Sequence, residues 1–457
     1  MNKSLIILFL LAVVIFFPSC DKNDPPLPDN LVAFSTDKLG FEDNVNKAEL
    51  KLSLSRPAES ETSVMVDLAA AGIAYGAEFT TEPAAVDNKV SVKIPAGSSE
   101  ALISVIKKDG VLFDGDEKIA FSISSVSGPV LPGEHAKLEL SFSAITSVGS
   151  RLTLDGGSGG ASAENSVFVD LSANRQTAVK RNLWDLGFYC GADYRVIINN
   201  TNGASAIRID KSDLSQVSAA DVNVELLRLG QGTGSFSIID DVNGDLSKTV
   251  IAEVSATAAD NKVYVINRKG GDRSVASPAD LYKVRVFRKD NGYTLQYARL
   301  NESAVRSLDI ARNPSFNFSY VSFDNGSVSV EPEKARWDIE WGWSMYYTQN
   351  IPYGFADLVF INHRGGVQAA EVLTSNVSYQ DFNEGKLAAV AFSGARDVIG
   401  SKWRATSPAP AVKTDRFYVI KDGAGNVYKL RFLSFSESEG GVRGKPEIEY
   451  ALVKKGG

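Results

Sequence analysis

Histidine, cysteine and methionine are nearly missing from this chain. Its 457 residues include two His, two Cys and three Met, one of the Met being the initiator. Chemistry that runs on imidazole bases, thiolates or clustered soft metal ligands has almost no side chains to draw on. The many Ser, Asp and Glu residues form no recognisable nucleophile arrangement without a partnered His. Gly156-Gly-Ser-Gly-Gly160 follows a strand pattern, but no helix with a Lys-Ser or Lys-Thr step comes after it, so no phosphate cradle is implied. The chain therefore reads as a non-enzyme. A basic excess is missing too: 48 Lys and Arg face 55 Asp and Glu, a net charge of −7, which leaves no footprint for nucleic acid or anionic lipid. What the chain does have is apolar material, 44% hydrophobic against 23% charged, enough to bury cores in more than one domain.

The only long apolar run is at the N-terminus, from Ser4 to Phe17 behind Met-Asn-Lys, and it ends in Pro18-Ser19-Cys20. A basic start, a short apolar stretch and a small residue before Cys read as a secretory signal covering 1–20. The Ser19-Cys20 junction resembles the lipobox of gram-negative lipoproteins. That resemblance implies lipidation of Cys20, an outer-membrane lipoprotein on the cell surface, and contact with the membrane through the lipid alone. The polar, Pro-rich stretch 21–30 reads as an extended tether. With Cys20 lipidated, Cys190 has no partner for a disulfide and reads as a buried, inert thiol in Phe188-Tyr-Cys190.

Residues 31–145 alternate with period two at Ala48 to Leu54, Ser63 to Leu68, Lys89 to Ile94, Ala101 to Ile106, Lys118 to Ile123 and Ala136 to Phe142, with turn signals between. This pattern predicts an antiparallel sandwich without helix. Leu52-Ser-Leu-Ser-Arg-Pro57, Ile94-Pro-Ala-Gly97, Asp109 and Phe113-Asp-Gly-Asp-Glu117 resemble the Calx-beta domain, an immunoglobulin-like sandwich. Some members of that family bind Ca²⁺ through carboxylates at one end, and the matching positions are Glu42, Glu78, Asp109, Asp116 and Glu117. The alternative reading of these five is solvated turn carboxylates.

Beyond Gly149 the chain repeats itself. Asn182-Leu-Trp-Asp-Leu-Gly-Phe188 returns as Ala335-Arg-Trp-Asp-Ile-Glu-Trp341, Val263-Tyr-Val-Ile266 as Phe417-Tyr-Val-Ile420, Leu281-Tyr-Lys-Val-Arg-Val286 as Val427-Tyr-Lys-Leu-Arg-Phe432, and Leu295-Gln-Tyr-Ala-Arg-Leu300 as Ile448-Glu-Tyr-Ala-Leu-Val453. Blocks in one order at a nearly constant offset define two mostly-β copies, 146–303 and 304–457. Fold class is thus all-β and mainly antiparallel. The repeated Trp-Asp stands at a strand start, where the Trp should plug the core and the Asp should tie a backbone amide or an Arg.

The block order, with Phe318-Ser-Tyr-Val-Ser-Phe323, Trp337-Asp-Ile and Arg416-Phe-Tyr-Val-Ile-Lys-Asp-Gly-Ala-Gly425, resembles HmuY-family proteins. The resemblance implies a surface or secreted lipoprotein that binds haem through a pair of His or Met ligands on loops before the last hairpin. Here the corresponding stretch 397–416 has neither residue type, and 146–303 has none anywhere. Met345 and His363 are the one haem pair that can be constructed. His363, in Ile361-Asn-His-Arg-Gly-Gly366, replaces the turn residue Asn200 of the first copy and reads as a solvated turn histidine. In the segment Trp341 to Tyr353, Trp341, Trp343, Tyr346, Tyr347 and Tyr353 crowd into an insertion that reads either as a platform for glycan, porphyrin or protein, or as local core.

Overall fold

The computed structural model describes residues 28–41, 45–108, 117–142, 147–230, 232–268, 270 and 277–456; the signal segment and Cys20 lie outside them. Among the described residues no helix is long and apolar enough to cross a membrane. The chain divides into two compact units, Met1–Ile145 and Thr146–Gly457.

Unit one is a sandwich of two five-stranded sheets. One runs Phe79–Glu82, Glu100–Lys107, Lys47–Leu54, Asn30–Phe34 and Val130–Pro132; the other runs Lys38–Gly40, Lys137–Ser141, Lys118–Val126, Thr62–Ala71 and Lys89–Ile94. Period-two alternation dictates the packing. In Lys47–Leu54 every second side chain is buried, Ala48, Leu50, Leu52 and Leu54, while its polar residues face outward. The six expected strands all form, and among the described residues of this unit there is no helix.

Unit two is where the sequence repeat takes physical form. The first half supplies the hairpin Asn165–Asp170 with Arg175–Lys180, and the second half supplies its counterpart, Phe318–Ser322 with Gly326–Val328. Each half then supplies a second hairpin, Leu186–Tyr189 with Val196–Ile198, and the longer Ile339–Thr348 with Ile351–Ile361. None of these sheets is completed within one half. Asn165–Asp170 pairs with Ile339–Thr348 from the other half, Val167 opposite Trp341, and Leu186–Tyr189 pairs with Phe318–Ser322, Leu186 opposite Val321.

The two larger sheets follow the same rule. Ser205–Ile209, Val263–Asn267, Tyr282–Lys289 and Gly292–Arg299 are closed by Arg306–Ala311, the first strand of the second half. Gln368–Leu373, Arg416–Lys421, Val427–Ser434 and Glu447–Lys454 are closed by Gly149–Thr153, the first strand of the first half. The boundary expected at 303/304 therefore separates two halves of one interleaved body, because an edge strand of each half finds its hydrogen-bonding partner only in the other.

Expressed alone, 146–303 and 304–457 each leave those edges unpaired. We expect neither half to unfold cooperatively in urea by circular dichroism, and 146–457 to show a single steep transition.

Candidate functional site

The repeated Trp-Asp pair and one Asn in each half build the centre of unit two. Trp184 and Trp337 are both buried, in one cluster with Phe168 and Val330. Asn199 donates through Nδ2 to the carbonyls of Arg181, at 2.8 Å, and Trp184, at 2.7 Å; Asn362 repeats this on Lys334, at 2.8 Å, and Trp337, at 3.0 Å. Asp185 and Asp338 tie the halves together. Asp185 accepts from Phe323 N at 2.7 Å, and Asp338 accepts from Leu171 N at 2.8 Å.

The two aspartates differ in their counter-charge. Arg268 grips Asp185 with two contacts, Nε at 2.6 Å and Nη2 at 2.9 Å. Asp338 has Asp170 and Asp422 nearby instead, so burial and like charge push its carboxyl well above the usual range.

Between the two Trp-bearing hairpins lies a cavity of about 120 Å³. Its apolar wall is Phe168, Val179, Trp184, Tyr320, Val330 and Trp337; its polar wall carries Arg181, Asp240, Glu331, Glu340, His363, Arg364 and Arg396. Exposed Lys180 and Asp245 also line it and mark its opening to solvent.

The carboxylates serve the framework. Asp240 accepts from Ile198 N at 2.7 Å and Val250 N at 2.8 Å, and Glu331 accepts from Phe318 N at 2.8 Å. Burial raises Asp240 to about 7 and Glu331 to about 8, outweighing those amide bonds, and raises Glu340 in spite of Arg396. Burial, with Arg364 and Arg396 close by, lowers His363 to about 4. Two polar atoms in the lining have no hydrogen-bond partner: the indole Nε1 of Trp337 and Oδ1 of Asn200.

The structure scatters the residues singled out from sequence. His363 is in the expected turn, capped by Asn362, where it is half-buried and lines this cavity. Met345 is fully buried with Leu229, Ile238, Leu358 and Phe360 and does not line the cavity, so the Met345 and His363 pair is not brought together there.

The aromatic insertion divides in the same way. Trp341 is core, and Gly156 leaves room for it, since a β-carbon there would come within 2.6 Å of the indole. Tyr346 is buried with its hydroxyl on Asp397 at 2.5 Å. Trp343, beneath the Arg181 guanidinium at 5.0 Å, and Tyr353 are half-buried, and Tyr347 is exposed. Of the five aromatic candidates three rings thus keep exposure, in a strand whose register shifts between Gly342 and Ser344.

Cys190 is buried against Ser319. Of the calcium candidates, Glu42, Asp109 and Asp116 lie outside the described residues. Glu78 takes the amide of Ala74 at 2.7 Å and Glu117 is buried. Among the described residues no group of three or more such ligands stands together.

Residues 162–450 match the HmuY protein family. No curated protein matches the chain. Among solved structures, the apo-form Calx CBD1 domain is 16% identical over 25% of this chain and 97% of its own, with a TM-score of 0.22. A Bacteroides ovatus protein described as a candidate carbohydrate binding protein is 12% identical over 72% of this chain and 80% of its own, TM-score 0.18. A Bacteroides fragilis two-domain protein of unknown function is 10% identical over 42% of this chain and 74% of its own, TM-score 0.19.

Two predictions come from this geometry. Trp341→Ala should cost about 3–5 kcal/mol in urea unfolding, while Tyr347→Ala should stay within about 0.5 kcal/mol. Glu331 is raised from 4.5 to about 8, so its folded form favours the proton and stability is lost as pH climbs between those values. Glu331→Gln should flatten that decline in urea midpoints measured from pH 4.5 to 8.

Proposed function

The chain belongs to the HmuY family, and on that premise we propose that it is a non-enzymatic cell-surface binding protein, anchored through Cys20, whose ligand occupies the cavity between the halves of unit two. One observation carries this reading. A cavity with aromatic walls, convergent charged groups and displaced titrations is the usual form of a small-ligand site, and this one also leaves the Trp337 indole N–H without a partner. At about 120 Å³ it is smaller than the roughly 300–1,000 Å³ of sites for drug-sized ligands, which favours a small molecule over a tetrapyrrole.

Haem, the ligand that the family implies, does not fit the donors of this chain. Its iron would need imidazole or thioether on both faces. His363 is held beside two arginines, and Met345 is sealed in a separate apolar cluster. A second reading, recognition of glycan or protein, rests on the exposed Tyr347 with Trp343 and Tyr353 beside it.

Haemin added to purified protein should give no Soret shift that depends on Met345 or His363; a shift abolished in the double Ala variant would restore the ligated-haem reading. Metabolic labelling with a fatty acid should mark the full chain and fail for Cys20→Ser. A glycan array that responds to wild type but not to Tyr347→Ala would favour the second reading.

A further inference from the structure

The chemistry of the cavity can be taken one step further. The carboxylates around it are already engaged: Asp240 on two backbone amides, Glu331 on one amide with the Asn317 side chain, and Glu340 beside Arg396 at 3.8 Å. The guanidinium groups are not balanced in the same way. Among the described residues neither Arg181 nor Arg364 forms an ion pair with a carboxylate, and burial lowers both, Arg181 to about 10.

Arg181 spends its nitrogens on three carbonyls, those of Ser162, Ala163 and Thr201, and so belongs to the framework. Arg364 and Arg396 each reach a single carbonyl of the 240–249 loop, Gly244 and Val242 respectively. Both stack on rings, Arg364 over Tyr189 at 5.5 Å and Arg396 over Phe360 at 3.9 Å, which fixes their planes and leaves donors over. His363 lines the same cavity, where burial and the charge of both arginines disfavour its proton.

A cation without a counter-ion is costly to bury, and half-buried Arg364, which has no ion pair among the described residues, forms with Arg396, held only loosely by Glu340 at 3.8 Å, and with the unpartnered indole N–H of Trp337 a donor set with room for a further acceptor. Opposite that set the wall is apolar and aromatic. We infer that the cavity binds a small carboxylate with an apolar body, its oxygens taken by Arg364, Arg396 and the indole N–H of Trp337 and its body lying against Trp184, Phe168 and Val179. This rests on the cavity reading above and names the ligand class for that site.

The test uses isosteric probes on the full chain in calorimetric titration: benzoate, benzamide and benzylamine, with inorganic phosphate as a fourth arm. Benzoate should bind at least tenfold more tightly than benzamide, and benzylamine should not bind. Arg396→Gln should weaken benzoate at least tenfold and leave benzamide within twofold. Trp337→Phe, which keeps a ring in the wall but removes the donor, should weaken benzoate in the same sense. Thermal unfolding of each variant checks that it is folded. Binding of benzylamine or benzamide without preference for benzoate would overturn the carboxylate and leave the cavity reading standing. Phosphate binding without benzoate would replace the carboxylate by another anion and also overturn it. Silence from all four probes would remove the cavity reading itself.

Discussion

Unit two depends on one constraint: a β-strand needs a neighbour for its backbone groups, and here each half withholds from itself the neighbour it needs. Gly149–Thr153 completes the sheet of the second half, Arg306–Ala311 that of the first, and the short hairpins cross over in both directions. The interior follows from that exchange. Trp184 and Trp337 share one cluster, packed on Tyr320 and Phe168 respectively, because the hairpins pair across the halves, and both line the cavity.

The two halves place different residues at several matching positions. Asp185 is paired with Arg268, whereas the position aligned with that arginine in the second half is Asp422, buried and occupied with Asn426. Asn200 and His363 occupy equivalent turn positions, each following a capping Asn, and both line the cavity. Glu331, Glu340 and Arg396 all come from the second half, so the polar character of the site is lopsided although its frame is nearly symmetric.

Local pattern was readable in the sequence and long-range pairing was not. Lys89 to Ile94 was expected as a strand and forms with those bounds, because alternation is a property of adjacent residues. The Trp-Asp repeat showed which side chains would be buried and tied to a backbone amide but not which amide, since Asp185 takes Phe323 N and Asp338 takes Leu171 N, each in the other half. Nothing in the period-two pattern of Gly149–Thr153 says that its partner is Glu447–Lys454, since register depends on what else is left unpaired. The cavity was hidden in the same way. Asp240 sits in an irregular stretch with no period, and it joins Glu331 and His363 only through the exchange. A faint signal did exist in the aligned Asn-Asn and Asn-His turns, where the first Asn of each pair carries the cap.

The pairing of Gly149–Thr153 with Glu447–Lys454 also bears on how the chain comes to be folded at all. A polypeptide that emerges N-terminus first must hold this opening strand uncommitted until nearly all the rest has appeared. Contacts this distant in sequence slow folding and prolong exposure of apolar strands. Ser205–Ile209 through Gly292–Arg299 can pair as they appear, so the wait falls on Gly149–Thr153 and on the crossing hairpins.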